Sequence, residues 1–327
     1  MGACTQFLTT GAALPERRLT NDALAKTVET SDEWIRTRTG IGQRYFAAPG
    51  ELTSDLAVRA ARQALARANL AGSDVDLIIL ATTTPDETFP ATATKVQHQL
   101  GSKGLAFDVQ AVCSGYLLAL KLADQALRLG QANRALIIGA ETLSHILDMK
   151  DRRTCVLFGD GAGAVLMERV PGETDPTNSA VIACEMESDG AYHDILRTTG
   201  GVGLTQEAGV ITMVGQDVFR QAVTKLAQSA AQLLEKTNIS AEAVDWFIPH
   251  QANQRIIDAT CQKMKIPDRK VISTVKSHAN TSAASIPLAL NDAVQTGKVR
   301  PGDLILHQAI GAGLVWGSAL VRWGKAS

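Results

Sequence analysis

No two cysteines in this chain stand at CxxC spacing, and their number, five, is odd: Cys4, Cys113, Cys155, Cys184 and Cys261. That argues against a disulfide framework and a structural zinc site, and for a reducing compartment. No metal is expected. Charge of one sign is also scarce. The formal balance is -1, so no global field draws nucleic acid, and an acidic partner has to find a local basic patch. No apolar run approaches the ~20 residues of a membrane span. The start, Met1-Gly2-Ala3-Cys4-Thr5-Gln6, lacks a basic-then-apolar signal pattern, and Gln6 stands where a myristoylation site needs Ser or Thr. A soluble cytoplasmic protein with no membrane and no nucleic-acid partner is the expectation.

What remains is an ordinary globular composition, 45% hydrophobic and 20% charged over 327 residues. At ~150 residues per domain, that length means two domains or one large duplicated one. Apolar runs predict buried strands over 5–14, 75–81, 105–112, 134–139 and 244–249. Helical periodicity predicts a helix from Thr53 or Ser54 to Ala68, with Leu56, Ala57, Ala60, Ala61, Ala64 and Leu65 on its buried face. Asn21 is read as the cap of a helix reaching Val28, and Cys155 to Met167 as two short strands around a Gly-rich turn. Pro171 to Ser179 is the best linker, and it divides the chain into halves 1–172 and 173–327.

The second half replays the first. Asn69-Leu70 and Val75-Asp76-Leu77-Ile78 match Asn238-Ile239 and Val244-Asp245-Trp246-Phe247, at a constant offset of 169. Leu129-Gly130 matches Thr296-Gly297 at 167, and Gly161-Ala162-Gly163-Ala164 matches Trp316-Gly317-Ser318-Ala319. Several matches in one order point to duplication. Strands alternating with helices imply sheets covered on both faces. Two such units, burying their central helices between them, give an α/β five-layer αβαβα sandwich. The helices beginning near Cys113 and near Thr281 are the expected central pair.

Cys113 falls on the turn between the strand over 105–112 and a helix over 114–129. Leu117, Leu120, Ala123 and Leu127 give that helix its spacing, and Gly130 stops it. Free amide groups at a helix start favour negative charge, so a depressed thiol pKa is expected there. The alternative is a small buried hydrophobe. His250 follows the strand over 244–249, and Asn280 follows a strand expected over 270–275. Ligands in open α/β sheets bind beyond the carboxyl ends of strands, so the three can share one crevice. Such a trio suits two chemistries. The cysteine can take an acyl group while His250 and Asn280 donate to an enolate oxygen. Alternatively, His250 can act as a protease-like base oriented by Asn280. Spacing alone does not separate them.

Cys113-Ser114-Gly115, His250-Gln251-Ala252-Asn253 and Asn280-Thr281-Ser282-Ala283-Ala284-Ser285 resemble the motifs of 3-oxoacyl-[acyl-carrier-protein] synthase III. That family has a thiolase-like fold and initiates dissociated fatty acid synthesis. The resemblance extends over the chain through Thr30-Ser31-Asp32-Glu33-Trp34-Ile35, Phe158-Gly159-Asp160-Gly161-Ala162-Gly163 and Trp316-Gly317-Ser318. It implies a cofactor-free homodimeric acyltransferase. A short acyl-CoA would be joined to malonyl-acyl carrier protein, giving 3-oxoacyl-acyl carrier protein, CoA and CO₂.

By the same resemblance, Cys113 would carry the acyl group, and His250 and Asn280 would hold the malonyl thioester. The amides of Cys113 and Ala312 would form an oxyanion hole, with Ala312 standing where a glycine is usual. Trp34 and Arg152 would stack on the adenine. Arg38 and Arg255 would approach the phosphates, and Gly215 would line the pantetheine tunnel. Phe89 would cross a dimer interface to cap the partner's acyl pocket, near Leu143 and Phe158. Arg220, Arg255 and Lys263 would meet the carrier protein, drawn from a basic group that includes Lys225, Lys265, Arg269 and Lys270. Without the resemblance, Trp34 reads as a half-buried helix residue and each arginine as a solvated charge. Two other readings accompany it: a same-triad enzyme making a quinolone or polyketide starter, and a non-catalytic carrier-protein-binding homologue.

Overall fold

Aliphatic runs in this chain pair into two sheets whose faces are apolar on both sides, so each sheet needs helices above and below it. The structure, a computed structural model, describes residues 3–173, 175 and 178–324. Met1 and Gly2 of the start, and Thr174, Pro176 and Thr177 of the expected linker, lie outside the described residues. The first sheet contains β1 (Cys4–Ala13), β4 (Leu77–Ala81), β5 (Leu105–Val109), β6 (Arg134–Glu141) and β7 (Gly161–Val170), in the order β1-β7-β6-β4-β5. The second contains β8 (Val181–Ser188), β11 (Trp246–Pro249), β12 (Leu304–Gly311) and β13 (Val315–Arg322), in the order β11-β12-β13-β8. Two small ribbons stand apart: β2 (Arg17–Thr20) with β3 (Gln43–Phe46), and β9 (Leu196–Thr198) with β10 (Ile211–Met213).

The two sheets repeat one topology. β4 runs parallel to β6, and β11 parallel to β12. β7 then pairs antiparallel with β6 and β1, as β13 does with β12 and β8. Where β5 lies parallel to β4, the second half has only a single parallel bridge, Phe247 to Val271. The strand expected over 270–275 is therefore absent. In its place are this bridge and a one-turn helix, α8 (Val275–His278). The backbone also repeats. Asn69 and Asn238 both take φ 53° at helix ends, Gly130 and Gly297 take 71° and 70°, and Val112 and Ser282 both take 48°.

Side chains alternate along the strands with period two. Leu77, Ile79 and Ala81 face a central cluster, while Ile78 and Leu80 face an outer one. The outer face of the first sheet is covered by α3 (Thr53–Arg67) and α4 (Thr92–Leu100). The outer face of the second is covered by α6 (Gly215–Thr237) and α7 (Gln254–Met264). Between the sheets lie α5 (Gly115–Arg128) and α9 (Ser285–Gln295), with Leu117, Leu120, Ile286 and Leu290 in one shared core. That stack is the five-layer thiolase-like sandwich. Among the described residues, no helix is long and apolar enough to cross a membrane.

Two sequence expectations give way here. The Gly-rich stretch Gly159 to Gly163 is not a turn between two strands: a turn precedes it, and Gly161 already begins β7. The glycines serve packing instead. A Cβ on Gly163 would lie 2.7 Å from the Leu288 amide nitrogen, and one on Gly139 would lie 2.2 Å from the Ala283 oxygen. The second-half central helix rests directly on the bare backbone of the first sheet. The helix expected from Asn21 to Val28 shrinks to one turn, α1 (Asn21–Leu24), capped by the Thr20 hydroxyl. Asn21 is instead buried, donating to Asp32 and Ile41 and accepting from the buried Arg44.

Candidate active site

The ends of β5 and β11 and the loop after α8 converge on one cavity of about 600 Å³, and its wall includes Cys113, His250 and Asn280. The three are buried, at 4%, 5% and 6% exposure. Cys113 sits in a single 3-10 turn, Val112–Ser114, just ahead of α5. Val112 enters it at φ 48°, a strained conformation for a β-branched residue. The turn is anchored across the halves: the Ser114 hydroxyl donates to the Val315 carbonyl at 2.8 Å.

The expected depression of the Cys113 pKa is not what this site produces. Burial pushes the thiol up to about 12, and the nearby Glu141 carboxyl adds to that. The Ser282 hydroxyl and the backbone amide of Cys113 act the other way and are outweighed. A helix start favours a thiolate, but complete desolvation of the sulfur costs more. The thiol is thus protonated at neutral pH. His250 moves in the opposite direction: burial pushes it down to about 3. It is a neutral imidazole, with one nitrogen donating and the other accepting.

His250 and Asn280 are held by their neighbours. The His250 amide donates to the Gln308 carbonyl at 2.7 Å, and its Nδ1 lies 2.6 Å from the Ser285 Oγ. Gln251, fully buried, donates from Nε2 to the Pro249 carbonyl at 2.6 Å. Its Oε1 accepts from the Thr274 amide at 2.7 Å, which ties the His250 loop to the segment leading to Asn280. Asn280 bridges to Phe158: its amide donates to the Leu157 carbonyl, and its carbonyl accepts from Gly159, both at 3.0 Å. The Asn280 Oδ1 accepts from the Ser282 amide at 2.9 Å. That fixes the flip of the carboxamide and leaves Nδ2, a donor, as its free end.

The family model "3-Oxoacyl-[acyl-carrier-protein (ACP)] synthase III" matches residues 107–190, and its C-terminal counterpart matches 234–323. A beta-ketoacyl-[acyl-carrier-protein] synthase III of Erythrobacter litoralis is 54% identical over 96% of this chain and 97% of its own. The crystal structure of 3-oxoacyl-[acyl-carrier-protein] synthase III from Aquifex aeolicus superposes with a TM-score of 0.91 at 46% identity, covering 98% of this chain and 100% of that one. The chain belongs to this family. A priming beta-ketosynthase of the R1128 polyketide pathway superposes equally well, with a TM-score of 0.92 over 100% and 98% of the two chains, but at 29% identity.

The other residues singled out in the sequence fall into three groups. Arg38, Gly215, Arg255 and Phe158 line the cavity with the trio. Trp34, on α2 (Asp32–Thr39), lies outside that wall with Arg152, whose guanidinium carbon is 5.3 Å from the indole centroid. Leu143 packs in the buried cluster that holds Phe158 without reaching the cavity. Phe89 is 83% exposed and is not part of its own chain's cavity wall. Ala312 lies in the turn between β12 and β13, next to Gly311. A Cβ on the preceding Gly311 would come within 2.9 Å of the Cys113 amide nitrogen.

Of the basic group, Arg220, Arg255 and Lys263 are exposed on α6 and α7. Arg220 pairs with Asp217 at 2.7 Å. Two other members are committed inward. Lys225 packs 3.8 Å from the Trp316 ring centroid, and Lys270 donates to the carbonyls of Glu242 and Val244. Arg153, Met213 and Phe219 also line the cavity and carry no motif that marks them in the chain. Ser285 and Gln251 lie inside the motifs that carry the family resemblance, but nothing in their spacing assigns them partners.

Proposed function

We propose that this chain is the priming condensing enzyme of dissociated fatty acid synthesis, working in the cytoplasm as a homodimer with no cofactor. It joins a short acyl-CoA to malonyl-acyl carrier protein. The observation that carries the reading is the meeting of a sulfur, an imidazole and a carboxamide at one cavity floor. The identity of 54% to a synthase III, against 29% to the polyketide priming enzyme, favours primary metabolism over a starter pathway. The intact trio disfavours a carrier-protein binder without chemistry.

In the first half-reaction, the Cys113 sulfur forms a bond to the acyl carbon. The bond to CoA breaks, and the thiol proton leaves with the CoA sulfur. A thiol pushed up to about 12 requires that coupling, since little free thiolate exists beforehand. The amides of Cys113 and Ala312 take the developing oxyanion. In the second, the malonyl thioester loses CO₂, and the enolate oxygen is met by Asn280 Nδ2–H and the His250 ring. The enolate carbon attacks the acyl carbon, the Cys113 thiolate departs, and a solvent proton restores the thiol.

Arg38 and Arg255 supply charge along the cavity for CoA phosphates, and Gly215 leaves room for pantetheine. Trp34 and Arg152 form a planar pair suited to an adenine. The edge strand β5 leaves one side of the sheet open, and Leu105 on it is 67% exposed. A second copy there covers that edge and brings Phe89 to the partner's acyl pocket, which Phe158 lines with Leu143 packed in the cluster behind it. Arg220, Arg255 and Lys263 offer the acidic carrier protein a basic face near the entrance.

The test is acylation with acyl-CoA alone. Intact-protein mass spectrometry should show one acyl group, mapped to Cys113, across acetyl, isobutyryl, butyryl and octanoyl donors, with the rate reporting primer length. Addition of malonyl-acyl carrier protein should then discharge it as 3-oxoacyl-carrier protein. A wild-type protein that takes no acyl group from any of these donors overturns the reading.

A further inference from the structure

A neutral His250 has two tautomers, and they do opposite things at the cavity. With the proton on Nε2 the ring donates to an oxygen there; with it on Nδ1 the ring presents a base. We infer that Ser285 is the positioning residue that sets this choice, donating its hydroxyl to Nδ1 and holding the proton on Nε2 for the decarboxylation step. The inference rests on the condensing activity proposed above.

The argument is one of hydrogen counting. Ser285 Oγ is buried at the start of α9, with its residue 1% exposed. It has two neighbours at hydrogen-bond distance: the Gln251 amide at 3.3 Å and His250 Nδ1 at 2.6 Å. The amide can only donate, so Oγ accepts there. A hydroxyl has one hydrogen to give. If Nδ1 donated to Oγ, that hydrogen would point into a buried interior with no acceptor, which costs a full desolvation penalty. If Oγ donates to Nδ1, every group is satisfied. The proton then resides on Nε2, the ring nitrogen left to the cavity.

Asn280 is set by the same logic. Its Oδ1 is occupied by the Ser282 amide, so its free end is also a donor. Both donors are therefore fixed from one stretch, 280–285, His250 by the Ser285 hydroxyl and Asn280 by the Ser282 amide, and neither depends on a charge. This also counts against a protease-like role for His250, since a ring with Nε2 protonated has no lone pair to take the Cys113 proton.

The test is a long-range ¹H–¹⁵N correlation spectrum of the ¹⁵N-histidine-labelled full-length protein near neutral pH, with the His250 ring assigned by its loss in His250→Asn. The expected wild-type pattern is the Nε2–H tautomer; an Nδ1–H pattern overturns the inference. In Ser285→Ala the ring should shift toward a tautomer mixture. Malonyl thioester decarboxylation should fall about 10- to 100-fold, the range one buried hydrogen bond supplies. Acylation of Cys113 by acetyl-CoA should stay near the wild-type rate. Ser285→Thr, which keeps the hydroxyl, should restore the Nε2–H pattern. Equal loss of both half-reactions in a folded Ser285→Ala protein with an unchanged tautomer would overturn the inference. Failure of wild-type acylation would instead sink the functional reading and leave the tautomer assignment standing.

Discussion

In the first half, the turn at Val112 delivers Cys113 to the cavity. In the second, the turn at Ser282, 170 residues on and with the same φ of 48°, delivers only Ala283, buried against Gly115 and Gly139. One loop away the roles reverse. By the strand offset of 169, His250 corresponds to Ala81, the last residue of β4. By the turn offset, Asn280 corresponds to Gln110. The two halves share a backbone and divide the chemistry: one supplies the nucleophile and the other supplies the hydrogen-bond donors. Their buried titratable groups divide as well. The first half buries acids that desolvation pushes up, Asp124, Glu141 and Asp160, with Asp108 half-buried and Arg44, among the described residues, as its one buried base. The second buries histidines that desolvation pushes down, His250, His278 and His307. Duplication kept the strained turns and left each copy free to specialise what the turn carries.

The largest effects should follow that division. Cys113→Ala should take no acyl group, and condensation should fall at least about 10⁴-fold, the scale of a lost nucleophile. His250→Ala and Asn280→Ala should still form the acyl-enzyme at close to the wild-type rate, while decarboxylation falls about 10²- to 10³-fold, as for a lost oxyanion donor. An acylation defect in His250→Ala as deep as that of Cys113→Ala would break the comparison, because a second-half residue would then be activating the first-half nucleophile. The thiol itself gives a related reading. Alkylation of Cys113 by iodoacetamide should climb about tenfold per pH unit from pH 6 to 9, with no plateau, because thiolate is the reactive form and the pKa lies far above. A plateau near pH 7 would restore the depressed pKa that the helix start alone suggests.

Much of this molecule was legible before any coordinates, for a physical reason. Buried strands, helix stops and the repeat offset are written in local composition, and local composition sets element type. Asn69, Asn238, Gly130 and Gly297 signal helix ends because the left-handed region favours them. The trio was also legible, since strand ends in α/β sheets are where ligands bind. Three things were not. The strand expected over 270–275 had the right apolar residues, but β-structure depends on a partner, and only Val271 finds one. The glycines from Gly159 to Gly163 read as a turn because the purpose of Gly161 and Gly163, contact with Leu288 and Pro287 more than 120 residues away, is tertiary. The Cys113 pKa was misjudged because desolvation is a property of the assembled site, whereas a helix start can be read from the chain.

Those glycines offer the next test. The second-half helix α9 sits on the first sheet only because Gly139 and Gly163 lack side chains. Gly163→Ala would put a methyl 2.7 Å from the Leu288 nitrogen and the Pro287 Cβ, and must push α9 away. A loss of about 1–3 kcal/mol is expected, as for other overpacked cores, read as a lower urea midpoint. Gly190→Ala is the control: nothing lies within 4 Å of its Cβ position, and its effect should stay within about 0.5 kcal/mol. Equal midpoints for Gly163→Ala and wild type would mean that the halves are not in the close register described.

The smallest effect concerns the buried histidines. His307 is held down to about 4 and His250 to about 3, both by burial. In the unfolded chain each takes a proton near the ordinary value of about 6.5, while the folded chain refuses it. Stability is therefore full above pH 6.5 and declines as pH falls toward the folded values, by about 1.4 kcal/mol per pH unit for each such histidine. The buried acids of the first half act in the opposite sense, since desolvation makes the folded state protonate them more readily. Removing one histidine isolates its own share of the slope between pH 6.5 and about 5. His307 Nδ1–H donates to the Ile248 carbonyl at 3.1 Å, a bond an asparagine amide can replace. His307→Asn should thus reduce the slope of stability against pH in that window by about 1.4 kcal/mol per unit, measured by urea unfolding at pH 7, 6 and 5. An unchanged slope would place the acid sensitivity elsewhere, and would remove the contrast between a base-burying half and an acid-burying one.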